Sequence, residues 1–274
     1  MSEHIFDKYM RQDKLPHMWC AGCGNGIVTQ AIIRAIDNSG IDQNDIVLVS
    51  GIGCTCRANG YMDFCGIHTL HGRAIAYATG VKMANPKLKV IVISGDGDAT
   101  SIGGNHFIHA ARRNIDLTVV VYNNYNYGMT GGQYSPTTPI DSFTKTSVYG
   151  HIEPQLDICK LAEASGATYV ARSTTYHVKM LTKQIETAIK HEGFSVVEAM
   201  CDCPTLYGRL NKHSSPAEML MRWKDCTVNV GRSKTMSSKE LDGKIIIGEF
   251  VKRYDRKEYT KQYDEIIARA HGGE

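Results

Sequence analysis

The chain of 274 residues contains no long apolar run and no large excess of one charge. Its longest apolar runs, such as 90–93 and 119–121, fall far short of the roughly 20 residues that a membrane-spanning helix needs. Lys and Arg number 31 and Asp and Glu 28, which excludes nucleic-acid binding through bulk charge alone. Residues 1–19 mix both charges and lack the apolar segment of a secretory signal. We expect a cytoplasmic protein that binds neither nucleic acid nor membranes.

Cysteine, by contrast, is abundant. Nine cysteines occur in the chain, an odd number that a framework of internal disulfides would not use up. A reducing cytosol would keep them as thiols, and a chain of this length buries a sufficient core without cross-links. The cysteines therefore need another explanation.

Short β-branched runs alternate with helix-like segments along most of the chain. The predicted strands are 45–50, 89–94, 117–122, 167–171 and 194–200. The predicted helices are 24–37, 72–84, 104–113, 155–165 and 176–190. Apolar strands joined by helices predict an α/β fold, a parallel sheet covered by helices on both faces. We expect this domain to span 1–205, with 206–274 as a C-terminal extension packed on it or on a partner, ending in a helical stretch at 241–270.

In a parallel sheet of this kind, ligands bind beyond the carboxyl ends of the strands. The loops that follow the predicted strands are GIGCTCR at 51–57, GDGD at 95–98, NNYNYGMTGGQ at 123–133 and CDCPT at 201–205. We expect all four loops to open at one edge of the sheet.

Several cysteines cluster in or near these loops. Cys20 and Cys23 form a C-x-x-C pair before a predicted helix, Cys54 follows the first strand, and Cys201 and Cys203 follow the last. Thiolates at these places could supply four ligands to zinc or to an iron–sulfur cluster. Two other interpretations are buried apolar cysteines and a thioredoxin-like redox pair, although the turn of a redox pair should directly follow a strand.

The loops after the second and third strands carry a second motif. The GDG of residues 95–97 allows close approach to a diphosphate, and Asp96 offers a carboxylate oxygen to Mg²⁺. Asn123 follows 26 residues after Gly97 and opens an Asn-Asn pair at the end of a strand, where an amide oxygen adds a neutral ligand. This spacing is the signature of thiamin diphosphate binding. The competing interpretation is two unrelated turns, since Gly, Asp and Asn are common in turns.

The motifs together closely resemble the beta subunits of 2-oxoacid:ferredoxin oxidoreductases, the 2-oxoglutarate type in particular. The segments that carry the resemblance are WCAGCGNG, GIGCTCR, HTLHGRAIAYATG, SGDGDATSIGGNHFIHAARRN with the following IDLTVVVYNNYNYGMTGGQYSPTTP, and CDCPTLYGRLNK. The match covers about 15–212.

The resemblance implies three cofactors: thiamin diphosphate, Mg²⁺ and one 4Fe-4S cluster. The implied cluster ligands are Cys20, Cys23, Cys54 and Cys203, with Cys201 as a neighbour that could be mistaken for the fourth. The implied Mg²⁺ ligands are Asp96, the side chain of Asn124 and the backbone carbonyl of Asn126. The residues implied to line the rest of the cofactor are Ile52, Gly53, Cys54, Thr55, His71, Gly97, Asp98, Gly128 and Met129.

The activity that the resemblance implies is the oxidative decarboxylation of 2-oxoglutarate with coenzyme A, giving succinyl-CoA and CO₂, or the reverse reaction, with ferredoxin as electron partner. An alpha subunit should supply the activating glutamate, and further small subunits could be present. We expect the partner surface to include the apolar residues around Tyr125 and Tyr127. Two rival functions are a non-oxidative thiamin diphosphate enzyme with structural or zinc-bound cysteines, and an electron-transfer subunit with a vestigial diphosphate site.

Arg57 is the predicted substrate-binding residue. It stands three residues after Cys54, at the place where the resembled family can carry a basic residue that faces the substrate, and its guanidinium could pair with the distal carboxylate of 2-oxoglutarate. The alternative is that Arg57 holds a loop or balances the charge of the cluster. Gly131 stands where some relatives carry a lysine, so pyruvate or a branched-chain 2-oxoacid remains an alternative substrate.

Overall fold

The computed structural model describes residues 4–213 and 215–272 and contains one eight-stranded sheet. The strands of the chain are β1 Ile46–Ser50, β2 Cys65–His68, β3 Lys89–Gly95, β4 Thr118–Asn123, β5 Asn126–Tyr127, β6 Gln133–Tyr134, β7 Tyr169–Thr174, β8 Ser195–Met200, β9 Thr227–Asn229 and β10 Ile245–Lys252. The sheet order is β2-β1-β3-β4-β8-β7-β10-β9, while β5 and β6 form a separate hairpin. All neighbouring strands of the large sheet are parallel except β7 and β10.

Helices cover both faces of this sheet, as predicted. The α-helices are α1 Ile5–Tyr9, α2 Asn25–Ser39, α3 Ala58–Tyr61, α4 Ala74–Ala84, α5 Gly104–Arg113, α6 Ile158–Ala164, α7 Val178–Lys190, α8 Pro216–Cys226, α9 Val230–Ser233, α10 Ser238–Leu241 and α11 Tyr259–Ala270. One apolar core packs α2 and α7 against the sheet, and a second core packs α4, α5 and α6 against its other face. Strands β4 and β8 are buried at every position, which explains the apolar runs 119–121 and 196–197 at their centres.

The expected helical stretch at 241–270 is wrong. This segment contains strand β10, which pairs with β7 and β9, and only its last part forms helix α11. Three consecutive isoleucines, Ile245–Ile247, favour an extended backbone because their branched side chains are stiff. The segment 206–274 adds two strands to the same sheet, and the division at residue 205 stays a prediction. Met1, Ser214 and Glu274 lie outside the described residues.

The four loops identified from the sequence do open at one edge of the sheet. They follow β1, β3, β4 and β8, which are parallel to one another. This edge holds the candidate site. Across the described residues, no helix has the length and apolar character needed to cross a membrane.

Candidate functional site

An open cavity with an empty volume of about 610 Å³ lies beyond the carboxyl ends of β1, β3 and β4. Its walls contain every residue that the sequence assigned to thiamin diphosphate or Mg²⁺. The lining residues are Ile52, Gly53, Cys54, Thr55, His71, Gly95, Asp96, Gly97, Asp98, Asn124, Asn126, Tyr127, Gly128, Met129 and Thr130. The fold therefore gathers these residues at one place, while their individual roles stay predictions.

Asp96 is a buried carboxylate with two hydroxyl partners. One of its oxygens, Oδ2, accepts hydrogen bonds from Ser135 Oγ at 2.6 Å and Thr137 Oγ1 at 2.5 Å. Burial raises the pKa of Asp96 to about 6, although these hydroxyl groups oppose the increase. Within the described part of the chain, no Lys, Arg or His side chain forms an ion pair with it. A buried carboxylate without a cation suits a Mg²⁺ ligand.

The turn after β4 presents the two asparagines implied as Mg²⁺ ligands. Asn126 donates through its side-chain nitrogen to the carbonyl of Asn124 at 2.8 Å. Between them, Tyr125 has φ +64°, a left-handed conformation that is uncommon for a residue with a Cβ. Its ring is only 5% exposed and contacts Tyr207 and Trp223. Tyr125 itself is therefore covered by residues after 206, while the expected partner surface of apolar residues around Tyr125 and Tyr127 stays a prediction.

Close backbone approach marks the Gly97 position. A Cβ added at Gly97 would lie 2.3 Å from the ring of Tyr127, so no larger residue fits without displacing that tyrosine. The tyrosine hydroxyl lies 3.4 Å from the carbonyl of Gly97. The glycine of the GDG motif thus allows the loops after β3 and β4 to meet.

A second cavity, with an empty volume of about 480 Å³, adjoins the first. Four cysteines line it: Cys20, Cys23, Cys54 and Cys203. They are the four that the resemblance implied, brought together from three segments of the chain. Burial raises the pKa of Cys23 to about 12, and the neighbouring Cys203, Cys54 and Cys20 add to the increase. Bound metal would favour the thiolate, so this sulfur donor set fits an iron–sulfur cluster or zinc.

Cys201 lies outside this group. Its side chain is 2% exposed, and its sulfur lies 3.8 Å from Oδ1 of Asn25 instead of facing the cysteine cavity. The segment that carries Cys23 and the loop after β8 meet at Gly24, whose amide donates to the carbonyl of Asp202 at 2.9 Å. A Cβ at Gly24 would lie 2.6 Å from the backbone nitrogen of Asp202. This approach sets Cys23 and Cys203 beside the same cavity.

The two cavities share a wall. Cys54, Asn124 and Gly128 line both of them. A Cβ at Gly128 would lie 3.5 Å from Cys54 Sγ, so the backbone of the loop after β4 runs directly beside that sulfur. The cysteines and the predicted diphosphate site are thus neighbours.

Arg57 stands two residues after Thr55, which lines the thiamin cavity. It is exposed at the end of a short helical turn, Thr55–Arg57, and lines neither cavity. Burial and then the charge of Arg57 lower the pKa of His68, which places the guanidinium near that imidazole. The substrate role of Arg57 stays a prediction.

The sequence motifs missed Ser135 and Thr137, which lie 39 and 41 residues after Asp96 and donate hydrogen bonds to its carboxylate. The only signal for them is the run of small hydroxyl residues in SPTTP, which belongs to no metal or phosphate motif.

Comparison with known proteins defines the class. Residues 51–199 match the family model of the thiamine pyrophosphate enzymes, "C-terminal TPP binding domain". The structure of 2-oxoglutarate:ferredoxin oxidoreductase from Magnetococcus marinus, with 2-oxoglutarate, coenzyme A and succinyl-CoA bound, is similar to the present fold. The TM-score is 0.87 and the identity 32%, over 99% of this chain and 92% of the other. The chain thus belongs to the thiamine pyrophosphate enzymes.

Curated relatives narrow the class further. The chain is 50% identical over 260 residues to the 2-oxoglutarate synthase subunit KorB of Methanocaldococcus jannaschii, covering 95% of this chain and 96% of that protein. It is 52% identical to the KorB subunit of Archaeoglobus fulgidus, over 85% and 84% of the two chains. The chain belongs to this family of 2-oxoglutarate synthase KorB subunits.

Proposed function

We propose that this chain is the subunit of a 2-oxoglutarate:ferredoxin oxidoreductase that holds both thiamin diphosphate and a 4Fe-4S cluster. The observation that carries the proposal is the common wall of the two cavities. Electrons that leave a substrate on thiamin diphosphate need an acceptor within a short distance, and the cysteine cavity adjoins the thiamin cavity at Cys54. The curated relatives are 2-oxoglutarate synthase subunits, so 2-oxoglutarate is the proposed substrate.

In the thiamin cavity, Asp96 and Asn124 would bind Mg²⁺ through side-chain oxygens, and Asn126 would add its backbone carbonyl. Ser135 and Thr137 both donate to Oδ2 of Asp96, which leaves Oδ1 without a side-chain donor among the described residues. Gly97 and Gly128 allow the protein backbone to approach the diphosphate. Bound Mg²⁺ would then balance the buried negative charge of Asp96.

In the cysteine cavity, Cys20, Cys23, Cys54 and Cys203 would ligate the cluster as thiolates. When bound, thiamin diphosphate supplies the nucleophilic carbon that attacks the 2-oxo group, and the 4Fe-4S cluster accepts electrons one at a time. The protein would thus hold the two groups in adjoining cavities that share the wall of Cys54, Asn124 and Gly128. Trp19 closes part of the cysteine cavity, and its indole nitrogen donates to the carbonyl of Cys54 at 2.7 Å.

We propose an alpha subunit as obligatory partner, because the activating glutamate that such enzymes use is not among the residues lining the thiamin cavity. Coenzyme A and 2-oxoglutarate would be the substrates and ferredoxin the electron acceptor. Nine free thiols and an oxygen-sensitive cluster support a cytoplasmic location. We also keep the proposal that 1–205 is the cofactor domain and 206–274 an extension of it.

Analysis of iron, sulfide and thiamin diphosphate in the anaerobically purified complex, co-expressed with its partner subunit, tests the proposed function. We expect one cluster and one thiamin diphosphate for each copy of this chain, and reduction of viologen that requires both 2-oxoglutarate and coenzyme A. Thiamin diphosphate without iron would favour a non-oxidative enzyme. A cluster without thiamin diphosphate would favour an electron-transfer subunit.

A further inference from the structure

The cysteine cavity has an inner side and an outer side. Cys54 lies on the inner side, because it lines the thiamin cavity as well. Cys20 marks the outer side, since it does not line the thiamin cavity and is the exposed member of the four cysteines. Met18 and Thr205 line the same cavity, and both are exposed. Electrons that enter beside Cys54 therefore reach the protein surface at Cys20.

Two positively charged side chains stand close to this outer side. The helical turn Pro204–Gly208 begins directly after Cys203, and its Leu206 lines the cysteine cavity. Arg209 follows this turn at once, and Lys212 comes three residues later. Both cations are exposed, and the segment 203–213 contains no Asp or Glu. The rim of the cavity is thus positively charged where this segment forms it.

A third cation comes from another loop. The amide of Lys145 donates to the carbonyl of Gly132 at 2.9 Å, and a Cβ added at Gly132 would lie 3.2 Å from Leu206. The side chain of Asn211 bonds to the amide and to the carbonyl of Phe143, each at 2.9 Å, which holds this loop against the turn after Cys203. Lys145 is exposed. Within the described part of the chain, none of the three cations forms an ion pair.

These cations fit the electrostatics of electron transfer between two proteins. Four thiolates make the proposed cluster an anion, which repels a partner with an acidic surface. Exposed cations beside the cluster offset that repulsion and steer an acidic partner into contact. Among the described residues, no Asp or Glu lines the cysteine cavity to oppose this effect.

We propose that a small iron–sulfur carrier protein with an acidic surface docks on this outer side, which we call the electron-exit face. The face consists of Met18, Cys20, Lys145, Thr205, Arg209 and Lys212. The inference rests on the proposed function and adds the place where its electron acceptor binds. The carrier is reduced by one electron as the cluster is oxidised by one. Two such transfers complete the oxidation of one 2-oxoglutarate with coenzyme A to succinyl-CoA and CO₂, and the thiol proton of coenzyme A is released.

The test measures binding and turnover separately, on the complex with its partner subunit. The probe is a purified acidic 2[4Fe-4S] ferredoxin, whose Kd is measured by surface plasmon resonance at low and at high salt. Reduction that depends on 2-oxoglutarate and coenzyme A is then followed with this ferredoxin and with viologen, a small dye that needs no docking surface.

The main variant combines Arg209→Glu with Lys212→Glu, and neither residue lines a cavity of the site. We expect the Kd of ferredoxin to rise about tenfold or more at low salt and less at high salt, where screening weakens the attraction. Lys145→Glu should act in the same direction. Viologen reduction and the electron paramagnetic resonance of the cluster should stay as in wild type. Lys87→Glu is the matched control, since Lys87 is exposed and precedes β3 at the opposite edge of the sheet, and it should leave the Kd unchanged.

An unchanged Kd in both charge-reversal variants would overturn the inference, as would an equal rise in Lys87→Glu. Should the double variant lose viologen reduction as well, Lys145→Glu decides by the same comparison, because it lies on a separate loop. If the wild-type complex reduces neither ferredoxin nor viologen with 2-oxoglutarate and coenzyme A, the proposed function fails and this inference with it. Failure of the inference alone leaves wild-type turnover intact.

Discussion

Replacing Asp96 by asparagine should stabilise the metal-free protein while it removes cofactor binding. Asp96 is 3% exposed, and burial raises its pKa from the ordinary value of 3.8 to about 6. That difference in pKa corresponds to about 3 kcal/mol of folding free energy, since one pKa unit is worth about 1.36 kcal/mol. The fold therefore disfavours the charge that the metal site needs.

The sign follows from proton linkage. Because the pKa of Asp96 in the folded state lies above its ordinary value, its contribution to stability is complete below pH 3.8 and is lost as the pH rises through about 6. Asparagine stays neutral at every pH and retains an oxygen for Ser135 and Thr137. At pH 8, Asp96→Asn should therefore raise the free energy of unfolding of the metal-free protein by up to about 3 kcal/mol, which is several degrees in Tm.

Cofactor binding should change in the opposite direction. Loss of the charged ligand should weaken Mg²⁺-dependent binding of thiamin diphosphate by on the order of a hundredfold, with the cluster intact. The assay compares thermal unfolding of wild type and variant at pH 5 and pH 8 after chelation of Mg²⁺, and then with Mg²⁺ and thiamin diphosphate restored. A less stable metal-free variant, or one that binds the cofactor at wild-type affinity, would refute the reasoning.

Three further predictions concern other parts of the molecule. Arg57→Ala should lower kcat/KM for 2-oxoglutarate by on the order of a hundredfold and affect pyruvate much less; an equal loss on both substrates, measured by steady-state kinetics, would show that Arg57 does not bind the distal carboxylate. Asp116 is buried, but Lys89 and Lys82 more than offset the effect of burial and lower its pKa. Asp116→Asn should thus cost about 3–5 kcal/mol at pH 7, a difference that shrinks as the pH falls below 3.8, with thiamin diphosphate binding unchanged; denaturant unfolding across pH checks this. The isolated chain, even with both cofactors, should not reduce viologen with any 2-oxoacid and coenzyme A, and turnover by the single chain would contradict an obligatory partner.

The central strands could be predicted because they are buried on both faces, which leaves a continuous apolar run such as 119–121 in the sequence. The convergence of their loops then follows from parallel pairing alone, without knowledge of strand order. The edge strands could not be predicted in the same way. Strand β10 lies near one edge of the sheet, between β7 and β9, and only its Ile247 and Gly248 are buried, so its pattern is short and mixed.

Within the site, the residues that belong to local motifs were found, and those that act from a distance were not. Cys20 and Cys23 are recognisable by their C-x-x-C spacing, and Asp96 by the glycines on either side of it. Thr137 reaches Asp96 from another loop, and no local pattern marks it. The contacts of a side chain are equally hidden: Asp98 stands in the same motif as Asp96, but only the structure shows that its carboxylate accepts hydrogen bonds from His71, Gly72 and Ser94.

The most direct test of the central claim is electron paramagnetic resonance, with iron and sulfide analysis, on the dithionite-reduced complex carrying Cys203→Ser or Cys201→Ser. Cys203 lines the cavity with the other three cysteines, whereas Cys201 is buried beside Asn25. We expect a reduced 4Fe-4S signal in wild type and Cys201→Ser, and a lost or altered signal with depleted iron in Cys203→Ser. An intact cluster in Cys203→Ser together with its loss in Cys201→Ser would show that Cys203 is not the fourth ligand.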